Sequence, residues 1–342
     1  MSRKNIVVIG GGTGTFTVLR ALRDTPVNLT AIVSTADDGG STGILRDELG
    51  VLPPGDFRQA LVALADDSHV LRNLFTYRFT DGTLKGHNFG NLFISALEKI
   101  TGSFDEAVLE AGKILSIQGR VLPVTSKQMH LRAQTTTGEI IKGEHAIEEY
   151  IWSEQAHLRR FWVEPPCELH PLARQAIMNA NLIVIAPGSL YTSLVPNFLV
   201  NGMPEALRKA KAPIVSVINL MTEKGQADNF FVQDFVELIE LYLGKGSIDY
   251  ALYNTRKPGN VLLDRYRQER ERQPVLVDSK RRRHLSYTLV GTNLLARQAA
   301  TQIAADPLAA TRTLIRHDGA KLAEALTALL YLQNAQKYLR HA

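Results

Sequence analysis

Cysteine is almost missing from this chain: Cys167 is the single one in 342 residues. An internal disulfide is therefore excluded, and so is a zinc site made of a cysteine cluster. The nine histidines show no metal-ligand spacing such as H-E-x-x-H. Long hydrophobic runs are missing too. After Ser2-Arg3-Lys4-Asn5 only residues 6–9 are apolar before glycine begins, which falls short of the roughly 7–15 residues of a secretory h-region. The run at 182–186 is far too short to cross a bilayer. The expectation is a cytoplasmic protein with no membrane partner. Charge of one sign is scarce: 39 Lys plus Arg against 34 Asp plus Glu leave +5. That excess does not argue for nucleic acid, but it suits a small anionic ligand. Lys280-Arg281-Arg282-Arg283 is the one strong charge run. It reads as a solvated loop, because no aromatic residues interleave it.

What is present reads as an α/β protein. An apolar content of 45% with 21% charged residues is ordinary for a globular chain. Residues 6–9 and 29–35 are short β-rich runs, and Phe16, Leu19 and Leu22 recur between them at helical spacing. Strand, helix and strand within about 30 residues make a βαβ unit and hence parallel strands. Helical faces follow at 56–65, 92–100 and from Ser103 to about 117, where Ser103 and Glu106 fit a capping box. The period changes over 119–160: residues 121–124 are extended, and 129–135 with 139–144 flank a turn at Thr136-Thr137-Gly138. This predicts a small, mostly antiparallel insert at 119–164 within a core made of 1–118 and 165–342. Apolar strands at 182–186 and 214–220 suit a buried parallel sheet, with a helix between them broken near Pro196. Phe231, Phe235, Leu238, Ile239 and Tyr242 form a helical stripe, 248–253 and 275–277 are candidate late strands, and Asp318 is the expected N-cap of a final helix to about 339.

Five polar segments sit where a strand ends or a helix begins, the places where open α/β sheets bind ligands. Gly10-Gly11-Gly12-Thr13-Gly14-Thr15 follows the first strand, where glycines and a helix N-terminus suit a phosphate. A plain tight turn is the other reading. Thr15 replaces the third glycine of a dinucleotide fingerprint and no Lys-Ser/Thr completes a Walker loop, so NAD is not expected. Asp37-Asp38-Gly39-Gly40-Ser41-Thr42-Gly43 follows the second strand. It is either a solvated loop or a pair of hard oxygen donors for Mg²⁺ followed by an anion nest. Asp56 and Arg58 lie in Pro53-Pro54-Gly55-Asp56-Phe57-Arg58, with Asp56 either a helix N-cap or a carboxylate facing Asp38 across a metal. Asn88 and Asn91, in His87-Asn88-Phe89-Gly90-Asn91, either cap a helix or contact a base, sugar or carboxyl group. Gly188, Ser189 and Thr192 follow the strand at 182–186 and offer phosphate or sugar contacts, and 219–225 holds the same position after the next strand.

In this order the five motifs resemble the YvcK-like gluconeogenesis factor family, a relative of the CofD-like 2-phospho-L-lactate transferases, from about residue 4 to about residue 335. The resemblance implies a three-layer, Rossmann-like (CofD-like), mostly parallel sheet with the motif loops lining one cleft. Carried over from the transferase branch, it implies a divalent metal at Asp38 and Asp56. The Gly39-Gly40-Ser41-Thr42-Gly43 form differs from that branch and favours the gluconeogenesis factors. Those are similar to nucleotide-sugar binders, UDP-N-acetylglucosamine being the usual suggestion, and are needed for growth and cell shape on gluconeogenic carbon. The expected ligand set is Gly11, Gly12, Thr13, Gly14, Thr15, Asp37, Asp38, Gly39, Gly40, Ser41, Asp56, Arg58, Asn88, Asn91, Gly188, Ser189 and Thr192. The partners expected are a nucleotide or nucleotide sugar, Mg²⁺ as cofactor, and a second copy of the chain as a homodimer. The alternative is a transferase moving a phosphate-linked group from a nucleotide diphosphate donor.

Overall fold

Strand β1, Lys4–Gly10, is buried on both sides, and its alternation feeds two cores. Ile6 and Val8 belong to one apolar cluster, while Val7 and Ile9 belong to the other. A strand with this pattern needs a helical layer on each face, and this requirement sets the three-layer architecture. The computed structural model describes residues 3–66, 69–153, 158–264, 273–282, 285–297 and 315–339.

The elements in chain order are β1, α1 (Gly12–Leu22), β2 (Val27–Val33), α2 (Gly40–Leu49), α3 (Gly55–Leu64), α4 (His69–Thr76), α5 (Phe89–Thr101), α6 (Phe104–Ile114) and β3 (Arg120–Pro123). The insert follows with β4 (His130–Thr135), β5 (Ile140–Lys142), α7 (Glu144–Trp152) and β6 (Leu158–Glu164). The chain then returns through α8 (Pro171–Met178), β7 (Leu182–Ile185), a π-helical turn (Leu190–Leu194), α9 (Val195–Phe198), α10 (Met203–Lys209), β8 (Ile214–Val217), α11 (Val232–Leu243), β9 (Tyr250–Asn254), β10 (Thr288–Thr292) and α12 (Gly319–Leu339).

Seven strands form one sheet in the order β10-β9-β8-β7-β1-β2-β3, every neighbouring pair parallel. Three more form the antiparallel sheet β5-β4-β6. The expected α/β class, parallel sheet and antiparallel insert are all present. The expected break at Pro196 is the passage from the π-helical turn into α9, with the proline in the first turn of α9. Asp318 accepts from the Lys321 N–H at 3.2 Å at the head of α12.

Two extended segments differ from expectation. The strand at 120–123, assigned to the insert, pairs in parallel with β2 and is the edge of the main sheet. Residues 275–277 form no ladder. The Val275 N–H bonds the Leu220 carbonyl at 3.1 Å and the Leu276 carbonyl accepts from Val232 at 2.9 Å. The segment thus spends its backbone groups on a loop and on the entrance of α11. Helices α2, α4 and α7 were not anticipated: two glycines interrupt α2, and α4 and α7 are only eight and nine residues long. Among the described residues no helix is long and apolar enough to cross a membrane.

Candidate functional site

The sheet changes its winding direction at β1. The chain moves outward from β1 to β2 and β3, then resumes on the other side with β7. The crevice beyond the carboxyl ends of β1 and β7 is therefore a topological switch point, the position where doubly wound sheets hold ligands.

Helix α1 opens into this crevice. Gly11 is its N-cap and offers no side chain to close the cap; the Gly12 N–H is bonded by the Asp56 carboxylate, which leaves the remaining first-turn N–H groups and the positive dipole end. Gly14 is required by packing: a Cβ there would overlap the Pro187 carbonyl oxygen. This close approach ties the first turn of α1 to the loop after β7. A Cβ on Gly11 would meet a carboxylate oxygen of Asp56, and Ser193 Oγ lies 4.0 Å from where a Gly12 Cβ would stand. Thr15 is buried, and its hydroxyl donates to the Gly11 carbonyl at 3.1 Å. It braces the helix rather than facing the crevice. Thr13 accepts from the Thr17 hydroxyl through its carbonyl at 2.9 Å.

The two acids after β2 have separate roles. Asp37 accepts from the Gly39 N–H at 2.9 Å and bonds the Thr42 side chain. Burial raises its carboxyl, with the neighbouring Asp38 charge adding to the effect. Asp38 accepts from the Glu144 N–H at 3.0 Å and from the His145 N–H at 2.8 Å, with Arg46 Nη2 at 3.9 Å. Both of its oxygens cap the first turn of α7. Of the expected Asp38–Asp56 metal pair, Asp38 spends both oxygens on α7, and Asp37 is the acid whose charge acts on Asp56. The expected loop over Gly39, Gly40 and Ser41 is the opening turn of α2, with Gly39 as an unclosed N-cap. Ser41 Oγ lies 3.1 Å from His87 Nδ1 and accepts from the Asn88 N–H at 3.4 Å.

Asp56 is not an N-cap; Pro54 holds that position and Asp56 sits in the first turn of α3. Desolvation first, then the charge of Asp37, push its carboxyl up to about 7, against the pull of the Gly12 N–H and Arg58. Arg58 is buried and donates from Nε to Asn91 Oδ1 at 2.9 Å and from Nη1 to the Phe75 carbonyl at 3.4 Å. Asn88 is the cap of α5, accepting from the Asn91 N–H at 3.3 Å. Capping thus describes Asn88, while the side chain of Asn91 fixes Arg58. On the β7 side, the Gly188 N–H donates to Asn219 Oδ1 and its carbonyl accepts from Asn219 Nδ2, each at 2.9 Å. Ser189 Oγ donates to Glu223 Oε2 at 2.9 Å, and Thr192 is buried in the π-helical turn.

Motif reading missed Glu144. The insert lowers it beside the two acids, and its carboxyl is raised well above the ordinary range by desolvation and then by Asp37, Asp56 and Asp38. Its signal, an acid just after Gly143 at a helix start, is too common to single out. Gln226, whose Oε1 accepts from the Tyr191 N–H at 3.1 Å, was also missed.

A divalent metal fits this donor set. Among the described residues no three acids, histidines or cysteines stand close enough to ligate one ion. Mg²⁺, however, is commonly held by one or two carboxylates with phosphate oxygens and water completing the shell. Burial first, and an acidic neighbour second, raise the carboxyls of Asp37 and Asp56, and Arg46 and Arg58 offset this only in part.

Comparisons with known proteins give the family and the fold. The family model described as 2-phospho-L-lactate transferase CofD matches residues 6–295. A Thermoanaerobacterium thermosulfurigenes protein, provisionally named a gluconeogenesis factor, is 40% identical over 95% of this chain and 96% of its own. The gluconeogenesis factor of Bacillus subtilis is 37% identical over 96% of this chain and 98% of its own. A crystal structure of a UPF0052-family protein from Bacillus halodurans superposes with a TM-score of 0.86 at 35% identity, covering 96% of this chain and 99% of that one.

Proposed function

This chain belongs to the CofD family, among its gluconeogenesis factors, and from that premise we propose that it is a cytoplasmic regulatory protein that binds a nucleotide sugar, of the UDP-sugar class, and sustains growth and cell shape on gluconeogenic carbon. One observation carries the reading. A glycine-rich helix start without a side-chain cap, an arginine held by Asn91 and two carboxylates whose charges act on one another lie on the loops and helix starts around the switch point of the sheet. First-turn N–H groups of α1 receive the diphosphate. Asp37 and Asp56 hold Mg²⁺, which neutralises diphosphate charge when bound. Arg58 adds positive charge behind Asp56, and Gly188, Ser189 and the Asn219 amide offer polar contacts to the sugar. Asp38 acts at one remove, holding α7 and so Glu144 over the cleft.

The test is isothermal titration with UDP-N-acetylglucosamine, with and without Mg²⁺. Binding with a Kd of about 1–10 μM, or −7 to −8 kcal/mol, strengthened by Mg²⁺ and lost in Asp56→Asn, is expected. Absence of heat with uridine, guanosine and adenosine nucleotides alike refutes it. A transferase reading has one observation behind it: a carboxyl near 7 at Asp56 is poised for proton transfer. Release of nucleoside monophosphate from uridylated or guanylated donors, abolished in Asp56→Asn, would favour transfer; binding without release favours the regulator.

A further inference from the structure

A cavity of about 810 Å³ lies at the opposite rim of the sheet, beneath the amino ends of β1, β2 and β3. Its position follows from register. Asn5 pairs with Asn28, Val7 with Thr30, and Thr30 with Arg120. Alternation puts Arg3, Asn5, Asn28, Thr30 and Arg120 on the face that carries Val7. The other face, with Ile6, Val27 and Leu29, is packed into the core. A buried parallel sheet is normally apolar on both faces. Here one face turns polar over its first third, and Gln118 and Gln175 line the cavity beside it.

The cavity has a fixed floor and unspent charge. Asn5 Nδ2 donates to the Asn179 carbonyl at 3.0 Å, and Asn5 Oδ1 accepts from Asn28 Nδ2 at 3.0 Å. These bonds hold the floor amides in place. Of the two carboxylates on the wall, Asp24 is engaged by Arg23 Nε at 2.8 Å, and Asp66 also has a partner. Arg3 and Arg120 are exposed, and no hydrogen bond or ion pair occupies either guanidinium among the described residues. Two unpaired guanidinium forks match a phosphate monoester bidentately. The carboxamides around them offer both donors and acceptors, the complement of sugar or polyol hydroxyls.

We propose that this groove is a second ligand site, separate from the switch-point crevice, that takes a small phosphorylated sugar or polyol between Arg3 and Arg120. It sits at the far ends of the same β1 and β2 strands whose carboxyl ends carry the first site. A ligand at either end therefore loads the same two strands.

The experiment titrates the full chain with a hexose 6-phosphate and, separately, with inorganic phosphate, following ³¹P chemical shift and heat. The expected result is binding of the hexose phosphate at micromolar to low millimolar Kd, weaker binding of inorganic phosphate, and a loss of about tenfold or more in each of Arg3→Glu and Arg120→Glu. Both variants should keep the wild-type melting temperature and UDP-sugar affinity, and Asp56→Asn should keep hexose phosphate binding. Equal affinity for both probes would reduce the site to a phosphate site and overturn the sugar assignment. Binding unchanged in both arginine variants, binding displaced by saturating UDP-sugar, or no binding of either probe at 10 mM (about −2.7 kcal/mol) would overturn the site itself.

Discussion

Replacing Asp56 with asparagine should stabilise the free protein by an amount that grows as pH rises from about 4 to about 7 and is constant above that. In the native cleft the Asp56 carboxyl titrates near 7, against an ordinary value of 3.8, because it is desolvated and faces Asp37. The native state therefore holds a proton that the unfolded chain has released between these two values, and native stability falls as pH rises toward and through 7. A rise of about three units at ~1.4 kcal/mol each sets a ceiling of about 4 kcal/mol. Asp56 keeps some contact with water and shares the repulsion with Asp37, so the working figure is about 1–2 kcal/mol. The asparagine amide carries no charge at any of these pH values. Thermal melts from pH 5 to 8.5 should show wild-type stability declining to about pH 7 and then levelling, with Asp56→Asn flatter and higher by about 1–3 °C at pH 8. Adding Mg²⁺ at pH 8 should raise the wild type and leave the variant unmoved. Equal pH slopes for the two proteins, or equal Mg²⁺ effects, would refute the reasoning.

Gly14→Ala should cost about 2–4 kcal/mol or prevent folding, because the added methyl overlaps a backbone carbonyl that cannot rotate away; Gly259→Ala, in open space, should be near neutral, and denaturant unfolding compares them. Asp38→Ala removes both acceptors at the start of α7. It should cost about 1–2 kcal/mol, with the Glu144 and His145 amides exchanging faster in hydrogen exchange. Arg58→Lys cannot reproduce the bonds to Asn91 and Phe75. It should lose about 2–3 kcal/mol of stability and weaken nucleotide-sugar binding; an unchanged melt would show that the guanidinium geometry is dispensable.

The fold class, a parallel sheet with a small antiparallel insert, was legible in the residues alone. Period-two and period-3.6 patterns are local properties, so β1, β2, α1 and α3 could be read from their own residues. Parallel pairing followed from the βαβ spacing, and the rim where the loops meet followed from topology. Tertiary structure alone decided which polar side chains act together. Asp37 and Asp38 are adjacent in the chain and chemically identical. The charge of the first acts on Asp56, and the second is consumed by the backbone of a helix 106 residues away. Glu144 reaches the acids only because the insert brings the first turn of α7 onto Asp38, and no spacing between residues 37, 56 and 144 encodes that. The unpaired arginines at the opposite rim were equally silent, since their placement is a matter of strand register across three strands. Local periodicity is written in neighbouring residues, whereas the direction and partner of a charged side chain depend on groups that only the folded chain brings within a few ångströms.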